Sequence, residues 1–92
     1  MIKVNEYFEG KVKSLGFESE GTRFTAGVIL AGEYTFDTGQ EEHLTITVGR
    51  LEIQLPGKKW KTMKDGETVV IPPSSKFNLK VAQPVSYVCR YA

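Results

Sequence analysis

A chain of 92 residues with 12 Lys plus Arg against 11 Asp plus Glu carries a formal charge of +1. That length supports one domain, residues 1–92, around one modest core. The near-balance of charge excludes nucleic acid as the main partner, because gripping a phosphate backbone calls for a clear basic excess.

Taken from the N-terminus, strand signals dominate. "YFEGKVKSLGF" reads as a first strand pair punctuated by Gly10 and Gly16, and "RFTAGVILAGEYTF" supplies one or two longer strands. In "HLTITVGRLEIQLPG", Leu44, Ile46 and Val48 alternate with His43, Thr45 and Thr47. After Gly49-Arg50, Leu51, Ile53 and Leu55 alternate with Glu52 and Gln54. Two period-two runs around a glycine turn predict a β-hairpin with Arg50 in its turn. Lys58, Lys59 and Lys61 around Trp60 read as a solvated loop. "ETVVIP", "KFNLKVA" and "VSYVCRYA" are three further strands, the first two divided by Pro72-Pro73-Ser74-Ser75. Each proline removes a ladder donor, so that break is a built feature. No stretch has a 3.6-residue period with caps, and turns recur at the spacing of an all-β sandwich or barrel.

The longest apolar run, "VILA" at 28–31, is far too short to span a bilayer. "MIKVNEYFEG" lacks the apolar run of a signal peptide. The single cysteine, Cys89, has no internal disulfide partner, and between Val88 and Tyr91 it reads as a buried structural thiol. The cytoplasm is the expected location, with neither a membrane nor a nucleic acid as partner.

Two spacings carry a resemblance. Glu42 precedes Gly49 by seven positions, and Gly66 is followed at fixed offsets by Pro72, Ser74 and Phe77. This resembles the two motifs of the cupin superfamily, whose fold is a small jelly-roll β-barrel. In cupins the first motif has His-x-His ahead of the Glu, and the second ends in a His. Here Phe36, Thr38 and Phe77 stand at those three histidine positions. None of them offers an imidazole nitrogen, and one carboxylate alone is a poor ligand set, so no metal and no other cofactor is expected. His43, the only histidine, falls on the strand face opposite Glu42 and is expected to face solvent.

End to end, the chain resembles the small cupin-like pyrimidine/purine nucleoside phosphorylases. The resemblance rests on "NEYFEGKVKSLGF", "GVILAGEYTF", "ITVGRLEIQLPG" and "SYVCRY". It implies an all-β, single cupin-type jelly-roll barrel that takes nucleoside and inorganic phosphate to free base and α-D-ribose 1-phosphate. It also implies broad base specificity, no metal and a homodimer. The alternative is a non-catalytic barrel that binds a small metabolite or nucleotide.

Phosphorolysis needs an anion clamp, a seat for the ribose and a surface for the base. Arg23 and Arg90 are the expected phosphate ligands because a guanidinium fork matches phosphate oxygens, with Ser74 and Ser75 adding donors. The bland reading of either arginine is a solvated ion pair. Tyr7, Tyr34, Phe36 and Phe77 are the expected base and ribose surface, since an aromatic platform accepts any base, or else they only fill the core. Glu42 is the expected catalytic carboxylate, unless it forms a rim salt bridge, and Glu33 is a lesser candidate beside Tyr34. Lys11 and Lys13 read as a solvated face.

Overall fold

A computed structural model describes all 92 residues. Ten strands form in chain order: β1 (Lys3–Tyr7), β2 (Val12–Ser19), β3 (Thr22–Ile29), β4 (Gly32–Asp37), β5 (Glu42–Val48), β6 (Arg50–Gln54), β7 (Lys61–Lys64), β8 (Thr68–Ile71), β9 (Lys76–Val81) and β10 (Val85–Tyr91). All pairings are antiparallel. One sheet runs β1-β2-β3-β10-β5-β8 and the other β4-β9-β6-β7. The sheets face each other as a sandwich and are not joined by a ladder into a closed barrel, so the all-β expectation stands and the closed barrel becomes an open jelly roll. No helix is long and apolar enough to cross a membrane.

The alternation seen in the sequence is the packing rule of this sandwich. Inward residues of the six-stranded sheet include Val12, Ile29, Leu44, Ile46, Val69, Ile71 and Val85. They meet Tyr34, Leu51, Ile53, Met63, Phe77, Leu79 and Val81 of the other sheet. Ile46, Ile53 and Ile71 are wholly buried. Each contributes about 1.5–3 kcal/mol of apolar transfer energy.

Three sequence expectations are corrected. The hairpin at Gly49 is absent: β5 pairs with β10 and β8, whereas β6 pairs with β9 and β7. Gly49 is the corner at which the chain leaves one sheet for the other. It sits at φ 101°, and a Cβ there would lie 2.8 Å from Val85 Cγ1, while its N–H donates to Asp65 Oδ1 at 2.8 Å. A glycine turn between alternating runs looks the same whether the runs pair or part. Arg50 accordingly begins β6.

Gly16 is inside β2, and the first strand pair is instead divided at Phe8–Gly10, where Phe8, Glu9 and Gly10 all take positive φ. The lysine-rich loop gives way at Lys61 to β7, whose one inward side chain is the buried Met63. Trp60 is not free in solvent, because Lys80 Nζ lies 4.3 Å above its ring. His43 is on the outer face as expected but its side chain is only 24% exposed, held by Glu41 at 2.8 Å and by Arg90 at 3.2 Å.

Candidate functional site

The cross-strand register gathers polar groups at one end of the sandwich. On β10, Tyr91 lies opposite Arg23 of β3 and Glu42 of β5, and Cys89 lies opposite Thr25 and Leu44. Tyr87 lies opposite Gly27 and Ile46. Directly paired residues share a face, so Arg23, Tyr91 and Glu42 form one row pointing between the sheets. From the facing sheet, Phe36 of β4 and Phe77 of β9 are themselves directly paired. Their rings stack at 5.5 Å with an interplanar angle of 19°, and Phe8 meets Phe36 edge-on at 5.4 Å. These groups enclose a cavity of about 490 Å³, a size that suits a small organic ligand.

Arg23 is the only cation lining it. Its guanidinium carbon sits 4.3 Å over the Tyr91 ring, an attraction between the cation and the ring quadrupole. The Tyr91 hydroxyl is fixed in turn by Thr25 Oγ1 at 3.1 Å. Burial raises the Glu42 pKa above its usual value of 4.5, while the Cys89 thiol, which donates to Glu42 Oε1 at 3.5 Å, and the Arg23 charge pull it back. Burial, reinforced by the Glu42 charge, pushes Cys89 up to about 12. A thiol so held stays protonated and is a poor nucleophile at neutral pH. Burial also raises Tyr87 and Tyr91, so both phenols keep their protons as donors. Tyr87 has room because its partner is Gly27, where a Cβ would stand 2.8 Å from the Tyr87 hydroxyl and 2.5 Å from the Lys13 carbonyl oxygen.

Among the residues singled out from sequence, Tyr7, Arg23, Phe36, Glu42 and Phe77 line this cavity. Five lie elsewhere. Arg90 follows Cys89 by one residue and therefore points outward, where its guanidinium donates to His43 Nδ1. Tyr34 is buried on the inward face, but its hydroxyl is spent on the Leu30 carbonyl at 2.7 Å and its ring packs on Phe8. Glu33 is exposed on the opposite face of β4. Ser74 is exposed in the loop at φ 52°, and the Ser75 hydroxyl donates back to the Pro73 carbonyl at 2.9 Å.

Tyr87, Tyr91, Thr25 and Ser14 line the cavity and were not anticipated. The signal for the first two was present: if Cys89 is buried, period two puts Tyr87 and Tyr91 on its face.

The proline loop is held by an unexpected residue. Thr38 is buried, and its Oγ1 donates to the Pro72 carbonyl at 2.8 Å and accepts from Ser75 N–H at 2.9 Å. Its own N–H donates to the Ser75 carbonyl at 2.8 Å. Thus one hydroxyl ties the ends of β4 and β8 together and sets the direction in which β9 delivers Phe77. Thr38→Val keeps the shape and strands these partners, so it is expected to cost about 1–3 kcal/mol. A thermal melt indistinguishable from wild type would show that the tie is dispensable.

No group of three or more His, Cys, Asp or Glu side chains is arranged to hold a metal ion. The family model described as pyrimidine/purine nucleoside phosphorylase matches residues 2–91. The chain is 53% identical over 93 residues, 99% of each sequence, to the pyrimidine/purine nucleoside phosphorylase of Pectobacterium carotovorum subsp. carotovorum. It is 50% identical, with the same coverage, to that of Cronobacter sakazakii. A crystal structure of a protein of unknown function from Vibrio parahaemolyticus superposes with a TM-score of 0.97 at 41% identity, covering 100% of this chain and 99% of that one. A cupin-2 domain from Rhodospirillum rubrum shares the fold alone, with a TM-score of 0.76 at 18% identity over 97% of this chain and 68% of that one.

Proposed function

The chain belongs to the pyrimidine/purine nucleoside phosphorylase family, and on that premise we propose a metal-independent phosphorylase that accepts both purine and pyrimidine nucleosides. The observation that carries this reading is the pairing of one cation, Arg23, with an aromatic wall of Phe8, Phe36 and Phe77 across a single cavity. In the reaction a phosphate oxygen bonds to C1′ as the C1′–N bond breaks. The bonding pair leaves with the base nitrogen, which takes up the proton that the phosphate gives up on becoming the ester. Arg23 holds the phosphate in line, and its fork offsets one of the dianion's two charges. Glu42, a few ångströms along the same row, accepts from the ribose hydroxyls and faces the positive charge that builds on the sugar ring. Tyr91 and Tyr87 donate hydrogen bonds.

Breadth of substrate follows from the wall. Stacking on Phe36 is indifferent to which base is present, and Gln40 is the only amide lining the cavity. Metal independence is supported by the donors available: no three of the chain's His, Cys, Asp or Glu side chains are grouped to hold an ion.

The homodimer is assigned to the outer face of the six-stranded sheet. There Val4, Leu15, Phe17 and Val28 are exposed on the neighbouring strands β1, β2 and β3, and Phe17 stacks on Phe24 at 5.5 Å. An apolar face of this kind is the usual mark of an interface. A molar mass of one chain in solution by light scattering removes that assignment. The buried free thiol suits the reducing cytoplasm.

The test is to incubate chelator-treated protein with uridine, inosine or adenosine, with and without phosphate, and to measure free base. Phosphate-dependent release from all three is expected. Release from one class only ends the claim of breadth, and activity that returns only with added metal ends the claim of metal independence.

A further inference from the structure

A second cavity, of about 790 Å³, adjoins the first, and the two share a wall made of Tyr7, Arg23, Thr25 and Tyr91. The two have different chemistry. The first is aromatic, through Phe8, Phe36 and Phe77. The second is also lined by Phe17 and Phe24, and it differs in charge: it has two cations, Lys3 and Arg23, against one carboxylate, Glu18, where the first has Arg23 against Glu42 and Asp37.

Register explains how Lys3 comes to be there. Lys3 of β1 is paired with Gly16 of β2, and Gly16 with Thr25 of β3, so the three stand in one row on the inward face. With no side chain at Gly16, the floor between Lys3 and Thr25 stays open, and a Cβ there would touch Lys3 Cβ at 3.7 Å. Arg23 is two residues from Thr25 on the same face. Lys3 and Arg23 therefore approach one space from two sides, while Arg23 also reaches the aromatic cavity.

Phosphorolysis of a β-nucleoside to an α-sugar phosphate inverts C1′. The incoming oxygen and the departing nitrogen must then lie on opposite faces of the sugar, as nucleophile and leaving group do in any inverting displacement at an anomeric carbon. One undivided pocket gives no reason for that order, but two compartments that meet at a shared wall do. Resting on the phosphorylase reading, we infer that the site is bipartite: the base occupies the aromatic cavity, and inorganic phosphate binds in the second cavity between Lys3 and Arg23. The ribose spans the wall, with C1′ beside Arg23 and Tyr91. Lys3 is the residue this adds. It is a point-charge ligand that recruits the dianion, where Arg23 orients it.

The test uses the full chain and inorganic phosphate as the probe, with binding followed by calorimetry and turnover by release of uracil from uridine. Lys3→Glu is expected to weaken phosphate binding, and to raise the KM for phosphate, by about tenfold, the scale of losing one partly exposed charge contact and gaining one repulsion. The KM for uridine should stay within about twofold, because the aromatic cavity is untouched. Gly16→Leu, which puts a side chain on the open floor, should do the same without any change of charge. Phosphate affinity unchanged in both variants, or uridine KM rising in parallel, overturns the bipartite site. The two readings fail separately. Phosphate binding weakened by Lys3→Glu, together with wild-type protein that never releases base, keeps the phosphate compartment and ends the phosphorylase reading. Wild-type protein that releases base with Lys3→Glu indifferent to phosphate does the reverse.

Discussion

Arg23→Ala is expected to lower kcat/KM for phosphate by about 10²–10³, the cost of removing a preorganised charge from a transition state. The argument is one of composition and position. Arg23 is the one cation common to both cavities, and the aromatic one already holds the carboxylate of Glu42. Without the guanidinium, a phosphate brought up to the shared wall would keep only Lys3 and would face Glu18 and Glu42. Arg23→Lys restores the charge without the fork or the flat stack on Tyr91 and should recover only part of the loss. Tyr91→Phe keeps the ring beneath Arg23 but loses the hydroxyl donor and its tie to Thr25, so it should cost activity by less than Tyr91→Leu, which should also raise the phosphate KM. Arg90→Ala is the control: its side chain is committed to His43 on the outer face. Loss of phosphate saturation in Arg90→Ala with Arg23→Ala unaffected would reverse the assignment.

Glu42→Gln should separate activity from stability, moving them in opposite directions. Its carboxyl is held above the usual 4.5, chiefly by burial, against the opposing Cys89 hydrogen bond and Arg23 charge. A carboxylate with a raised folded-state pKa costs the folded state free energy wherever it is ionised. That cost is absent below the unfolded value, grows as pH rises from there, and is complete above the folded pKa. The variant carries no such charge, so its Tm should exceed that of wild type at pH 8, and the two should converge as pH falls to about 4. Activity should go the other way, with kcat falling by about 10²–10³ because the group facing the oxocarbenium-like sugar is neutral. For wild type, kcat should drop on the acid side as Glu42 gains its proton. Full activity in Glu42→Gln would reduce the residue to a polar liner, and a Tm difference independent of pH would mean that burial is not what perturbs it.

Local pattern carried much of this protein. Alternation in "HLTITV", "RLEIQL", "KFNLKV" and "VSYVCRY" gave the strands, because a half-buried sheet demands period two wherever it lies in the fold. The same rule placed Glu42 and Leu44 on one face and His43 on the other, and it made Cys89 a buried thiol. The proline pair marked the break after which Phe77 turns inward. Where only one apolar residue sits among lysines, as at Met63, the pattern was too thin to reveal β7.

Period two states which residues share a face, but not which face is inside or which strand is next door. Those facts are set by long-range pairing, which brings residue 23 beside residue 91 and residue 91 beside residue 42. That pairing put Arg23 in the cavity and Arg90 on the outer face, though the two arginines are of equal merit on chemistry. It turned the expected hairpin at Gly49 into a crossing between sheets, and it sealed Tyr34 into the core while leaving Phe36 at the cavity. It also produced the second cavity, since Lys3 and Arg23 are brought together only by two successive strand pairings across Gly16. The sequence by itself determined an all-β chain with an aromatic, imidazole-free interior. Which of its charges meet inside that interior was decided by tertiary structure, because hydrogen-bonded register, unlike alternation, is a relation between distant parts of the chain.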